Sequence, residues 1–174
     1  MPLLIKTKGI VLSNKILPSD DVIYIILTEE QGKMRIYGKG VKKTSSKRRP
    51  HLQTGNMISV VLRKSHDTYY LQETTLVSAF SQIKQSSTKL NWLYALLFMI
   101  DRLVPEMEQD QKIYNILQKF MINISKKDDE HELFTQSANH VLSALGYTSE
   151  ELPLSDIKEM FAELTNQKLP LSAI

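Results

Sequence analysis

The sequence predicts an α+β protein, a small β-barrel followed by an all-α domain. Three observations predict it. Five of the six glycines (Gly9, Gly32, Gly38, Gly40, Gly55) and the period-2 runs fall in residues 1–80. From residue 88 onward, apolar residues recur at helical spacing. Between these stretches, Ser81-Gln82-Ile83-Lys84-Gln85-Ser86-Ser87 is polar and serine-rich and reads as a linker. The expected organisation is a barrel over 1–80, a linker over 81–87 and a helical domain over 88–174.

The strands come in order. Leu3 to Leu17 is one long extended run. Val22-Ile23-Tyr24-Ile25-Ile26-Leu27 is next and ends in the turn Thr28-Glu29-Glu30-Gln31-Gly32. Lys33-Met34-Arg35-Ile36-Tyr37 alternates polar and apolar, the signature of a half-buried strand. Met57 to Leu62 and Tyr69 to Glu73 flank Lys64-Ser65-His66-Asp67, a hairpin-like turn. Five strands in about 80 residues suit a five-stranded OB-fold barrel. An SH3-like barrel is the structural rival.

Four helices complete the chain. Leu90 to Val104 is apolar on most of its circumference, which marks a central helix, and Pro105 closes it. Ile113, Ile116, Leu117, Phe120, Met121 and Ile124 form one clean stripe. Phe134, Ala138, Val141, Leu142 and Leu145 repeat it, with Gly146 placed as a C′ glycine. Ile157, Met160, Phe161 and Leu164 make a shorter stripe, for which Ser155 is the expected N-cap.

Composition excludes several functions. The 174 residues contain no cysteine, so disulfides, thiolate nucleophiles and Cys-ligated zinc are absent. No apolar run is long enough for a signal peptide or a membrane span, and the expected location is the cytoplasm. The net charge of +3 divides unevenly: residues 1–80 carry +7 and residues 81–174 carry −4. That asymmetry points to a polyanion partner for the first half.

The strongest local feature is Gly38-Lys39-Gly40-Val41-Lys42-Lys43-Thr44-Ser45-Ser46-Lys47-Arg48-Arg49-Pro50. It holds six cations and no acid between Lys39 and Arg49. Cations at this density gain free energy by releasing counterions from a phosphate backbone. Arg35, in the strand feeding the loop, adds to the field, and Tyr37 offers a stacking face. The candidate nucleic-acid-binding residues are therefore Arg35, Tyr37, Lys39, Lys42, Lys43, Lys47, Arg48 and Arg49. A solvated charged loop is the plainer reading of the same run, and strand packing that of Tyr37.

Catalytic signatures are missing. Gly38-Lys39-Gly40 lacks the third glycine of a dinucleotide fingerprint and the Gly-Lys-Ser/Thr of a P-loop. His51, His66, His131 and His140 show no metal-ligand spacing. Asp20-Asp21 and Glu29-Glu30 are neighbours that a strand would point to opposite faces. The expectation is a protein that is not an enzyme and holds no metal or cofactor.

Several segments together resemble the RecO family of bacterial recombination mediators. Gly9-Ile10-Val11-Leu12 looks like the family's opening strand, and Ser19-Asp20-Asp21-Val22-Ile23 is similar to its Glu-Ser-Asp segment. Leu27-Thr28-Glu29-Glu30-Gln31-Gly32-Lys33 resembles its Phe-Thr-Glu-x-x-Gly-Lys turn. Lys39-Gly40-Val41-Lys42-Lys43, with Ser46 and Arg48, resembles its basic loop, and His51-Leu52-Gln53 is similar to the Leu-Gln/Glu after that loop. Val104-Pro105-Glu106, Leu142-x-x-Leu145-Gly146-Tyr147 and Lys168 to Ser172 are similar to later landmarks. One departure is large: family members commonly carry a four-cysteine zinc module after the Gly-Tyr, where this chain has Thr148-Ser149-Glu150-Glu151-Leu152-Pro153. The Phe usual after Leu-Gln-Pro is also missing.

The resemblance implies a DNA repair and homologous recombination protein that binds single- and double-stranded DNA and promotes strand annealing. It also implies partners: RecR, with which it would assist RecA loading, and the acidic C-terminal tail of single-stranded DNA-binding protein. The alternative is an interaction adaptor with no direct DNA role. In that reading an acidic peptide tail docks between helices and pairs with Arg102, Lys112 or Lys119.

Overall fold

The structure is a computed structural model that describes residues 3–171. It contains two compact units. One runs up to Ala79 and also takes Pro105–Asp110; the other comprises Phe80–Val104 and the residues from Gln111 on.

The first unit is a closed barrel of five strands: β1 (Leu3–Ile16), β2 (Val22–Thr28), β3 (Gly32–Gly38), β4 (Met57–Ser65) and β5 (Thr68–Ser78). Their order round the barrel is β1-β2-β3-β5-β4, and β4 returns to β1. All neighbours are antiparallel except β3 and β5, which meet in parallel at Ile36↔Tyr69 and Tyr37↔Tyr70. This is the five-stranded OB arrangement expected from the sequence.

Closure depends on the length of β1. Its first part pairs with β4 and its second with β2, and Gly9 and Ile10 pair with both. At Gly9 a Cβ would come within 2.6 Å of Ile26 Cγ2 and 3.0 Å of the Leu27 carbonyl. Only glycine lets the strands approach this closely at the corner. A bulge between Val11 and Ser13 then bends the strand onward.

The pleat places Val22, Tyr24 and Ile26, Met34 and Ile36, and Val60 and Leu62 in the barrel core. Val41 and Leu52, from the β3–β4 connection, join that core. Leu52 ends a short 3₁₀ turn, Arg49–Leu52, in which Pro50 sits at the start.

The second unit has five helices: α1 (Ser81–Lys84), α2 (Ser87–Leu103), α3 (Gln111–Lys126), α4 (Glu130–Ala144) and α5 (Leu154–Thr165). As its apolar circumference predicts, α2 is central and packs against each of the other four. Trp92 packs on Phe134 at 5.1 Å between ring centroids, and Phe98 on Phe161 at 5.8 Å. Gly146 (φ 80°) closes α4 as expected: its amide bonds the Ser143 carbonyl and that of Tyr147 the Leu142 carbonyl.

Three boundaries differ from the sequence reading. Residues 81–87 are not a plain linker, because Ile83 is fully buried and fixes the helical turn α1. Ser86 then caps α2, its hydroxyl accepting from the Lys89 amide. The N-cap of α5 is Pro153 rather than Ser155; the Pro153 carbonyl accepts the first helical bonds, from Asp156 and Ile157. Finally, residues 105–110 group with the barrel instead of the helices. The Met107 amide donates to the Lys33 carbonyl at 2.8 Å, and Glu106 lies parallel to Lys33 in a bridge on the edge of β3.

That return redistributes charge. Residues 105–110 bring Glu106, Glu108 and Asp110 and no cation, so the barrel unit carries +4 rather than the +7 of residues 1–80.

Among the described residues, no helix is long and apolar enough to cross a membrane.

Candidate nucleic-acid interface

The basic connection between β3 and β4 is a fixed structure. Its first half is clamped to the β1–β2 turn. The Lys42 amide donates to the Asp20 carbonyl at 2.9 Å, and Lys42 Nζ donates to the carbonyls of Leu17 (3.0 Å) and Ser19 (2.7 Å). Asp21 completes the clamp, accepting from the Gly40 amide at 2.7 Å and the Tyr37 hydroxyl at 2.5 Å.

The hydroxyl bond from Tyr37, with the Gly40 amide behind it, holds the Asp21 carboxyl below its ordinary value of 3.8. The same bond raises the Tyr37 phenol above its ordinary 10.0, because ionising it would give up the proton it donates to Asp21 and leave two anions side by side.

The second half is bolted to the barrel wall. Arg48 Nη1 donates to the Leu71 carbonyl of β5 at 2.9 Å, and Nη2 to the Lys39 carbonyl at 2.6 Å, which ties the two ends of the loop together. His51 Nδ1 meets Thr74 Oγ1 at 2.9 Å, and Asn56 Nδ2 donates to the His51 carbonyl at 2.9 Å.

The eight candidates therefore separate by what their side chains do. Lys42 and Arg48 are partly buried and spend their donors on main-chain carbonyls. Lys39, Lys43, Lys47 and Arg49 are exposed, so the frame built by Lys42, Arg48 and Asp21 presents four cations to solvent. Tyr37 and Arg35 point outward from β3, since Met34 and Ile36 between and beside them face the core. Arg35 is paired with Glu106, at 3.0 Å from Nη2 and 3.3 Å from Nε.

Sequence reasoning missed a neighbouring surface. Tyr37, Tyr70 and Arg63 stand in register on three adjacent strands, β3, β5 and β4. The Tyr37 and Tyr70 rings meet edge to face at 5.5 Å, and the Arg63 guanidinium lies 5.4 Å from the Tyr70 centroid. One residue along, Lys64 Nζ lies 5.5 Å from the Tyr69 ring, but that pair shares the opposite pleat face with Ile36, and Tyr69 packs against the barrel core. Alternating aromatic rings and cations are what a single strand needs for base stacking and phosphate contact. The signal was the pairing of Arg63-Lys64 with Tyr69-Tyr70 across the hairpin. It becomes visible only once the β4–β5 register is known.

Among the described residues, no group of three His, Asp or Glu side chains is placed to hold a metal ion.

The fold and this surface define a class: an OB-barrel protein whose β3–β4 connection and β3–β5–β4 wall form a basic, aromatic-bearing face, followed by a helical unit. Known proteins narrow the class. The family model described as "Recombination protein O N terminal" matches residues 1–80. Curated relatives extend the likeness into the helices. The chain is 25% identical over 130 residues to the DNA repair protein RecO of Alkaliphilus metalliredigens, covering 75% of this chain and 53% of that one. It is 23% identical over 144 residues to that of Caldanaerobacter subterraneus (82% and 58%) and 26% identical over 151 residues to that of Clostridium acetobutylicum (87% and 60%). Residues 1–80 thus match the N-terminal domain of RecO proteins, and the similarity to those proteins runs on into the helices. The chain spans between half and three fifths of the length of these relatives.

Proposed function

We propose that this chain is a non-enzymatic DNA repair and recombination protein whose barrel binds single- and double-stranded DNA and promotes annealing. The observation that carries the reading is the division of labour in the β3–β4 connection. Lys42, Arg48 and Asp21 hold the backbone, and Lys39, Lys43, Lys47 and Arg49 project from it. A solvated loop needs no such frame. The name DNA repair protein RecO carried by the relatives supports the same role. Assistance to RecA loading together with RecR, and contact with the tail of single-stranded DNA-binding protein, extend the proposal by resemblance to RecO proteins.

The test is a salt-titrated binding series on single- and double-stranded DNA with Lys39, Lys43, Lys47 and Arg49 all changed to Gln. Loss of four phosphate contacts lowers the log–log salt slope on a single strand by about 2.8, at about 0.7 per contact. An unchanged slope refutes the reading.

A second reading, the peptide-binding adaptor, has one observation in its favour. Between α3 and α4 lies a cleft of about 220 Å³ with Ile116, Phe120 and Leu133 as its apolar lining and Lys119 and His140 among its polar groups. An acidic tail with an apolar end suits that chemistry. Of the cations expected to pair with it, Lys119 lines the cleft, whereas Arg102 lies over the Phe98 ring at 4.9 Å. Titration with such a peptide in the absence of DNA, on the parent and on Lys119→Glu, separates the two functions.

A further inference from the structure

Arg35 lies on the outward wall of the barrel, yet an acid from a distant part of the chain neutralises it. Glu106 is 71 residues away in sequence. The segment that carries it is held by its main chain, through the Met107 amide on the Lys33 carbonyl and the parallel bridge to Lys33.

Gly32, at the start of β3, admits this segment. Its φ is 73°, and a Cβ there would collide with the Glu108 carbonyl oxygen. The backbone of residues 106–108 is thus fixed against β3, while the Glu106 carboxylate and the Arg35 guanidinium both remain largely exposed, at 41% and 59%. An ion pair so exposed is weak and exchangeable.

Beside the pair is a cleft of about 310 Å³, lined by Arg35, Tyr37, Tyr69, Glu106 and Met107, with Asp67 also on its rim. A cation, the outward-facing Tyr37 ring and a resident anion in one cleft match the parts of a nucleotide unit: phosphate for the cation, base for the ring.

We propose that this cleft is a nucleotide subsite for single-stranded DNA, in which a backbone phosphodiester replaces the Glu106 carboxylate on Arg35. The carboxylate occupies the anion position in the free protein and swings to solvent when the strand enters. Its main chain stays on β3. The subsite deepens the DNA-binding reading and rests on it. It also sets a threshold: a lone anion must displace Glu106, whereas a strand already held by the Lys39–Arg49 loop delivers its phosphate at high local concentration.

The experiment measures binding of a labelled oligo-dT strand across a salt series for the parent, Glu106→Gln, Arg35→Gln and the double variant. Glu106→Gln is expected to bind about two- to fivefold tighter, the span of an exposed ion pair no longer broken. Its salt slope steepens by about 0.7, one further net phosphate contact. Both gains vanish in the double variant.

A gain that survives without Arg35 is a general charge effect and overturns the subsite, as does unchanged binding by Glu106→Gln. A parent chain that binds no DNA refutes the proposed function and the subsite together. A parent whose slope depends on the loop cations, with no coupling between Arg35 and Glu106, refutes the subsite alone.

Discussion

The barrel unit and the helical unit use polar side chains in opposite ways. In the barrel, charged groups build the surface. Lys42, Arg48 and Asp21 hold a connection of more than a dozen residues against the wall, and the cations between them face solvent. In the helical unit a buried amide makes three bonds to the main chain. Asn139 donates to the carbonyls of Thr135 (3.0 Å) and Leu152 (2.9 Å) and accepts from the Leu152 amide at 2.8 Å, which fixes the turn between α4 and α5. The difference teaches where function lies. A charge held by main-chain carbonyls is structural wherever it stands, and a charge displayed by such a frame is available to a partner.

The largest effect that would break this comparison is on DNA affinity. Changing the four exposed cations, Lys39, Lys43, Lys47 and Arg49, to Gln should weaken binding on the order of a hundredfold at moderate salt. Thermal stability should stay close to the parent's. Replacing Lys126, Lys127 and Lys158 of the helical unit in the same way should leave affinity within about twofold, and fluorescence anisotropy reads both. Equal losses from the two sets would erase the distinction.

Next in size, Asn139→Ala should destabilise the helical unit by about 1–3 kcal/mol, because the Leu152 amide loses its partner in a buried site. Denaturant unfolding measures it, and the DNA salt slope should not move.

A smaller effect sharpens the contrast inside the loop. Arg48→Met removes two bonds to main-chain carbonyls and should cost about 1–2 kcal/mol of stability. Its neighbour Arg49→Met should cost almost no stability but lower the salt slope by about 0.7. If the two variants behave alike, the frame and the display are not separate.

The smallest effect is the titration of the Asp21 clamp. Its carboxyl is depressed in the folded chain, first by the Tyr37 hydroxyl and then by the Gly40 amide. The stabilisation it provides is complete above the ordinary value of 3.8 and is lost as pH falls through the lower folded value. Amide exchange at Gly40 should therefore accelerate in acid below that point, and in Asp21→Asn it should be fast at every pH.

Much of the fold was legible in the residues. Alternation in Lys33–Tyr37 and the stripe from Ile113 to Ile124 report local periodicity, and both became elements at those positions. Composition also revealed the basic connection. The errors came where a long-range contact overrode local character. Ser81–Ser87 reads as polar linker, yet burial of Ile83 makes it helical. Pro105–Asp110 lies between two helices in the chain, yet the edge of β3 claims it.

The site shows the same limit. Eight cations and rings could be named from composition, but not which of them would be consumed. Nothing local separates Lys42 from Lys43, or Arg48 from Arg49. The carbonyls of Leu17, Ser19 and Leu71 decide it, and those lie at least 23 residues away in sequence. The Tyr37–Tyr70–Arg63 row needed the strand register for the same reason.

By itself, then, the sequence determined the class of the two units, the position of the basic connection and the resemblance to RecO proteins, because periodicity, charge density and motif order are properties of neighbouring residues. Tertiary structure alone decided which cations are displayed, which aromatic rings stand beside them and that Glu106 faces Arg35. Those outcomes depend on main-chain carbonyls and strand registers that approach only when the barrel closes.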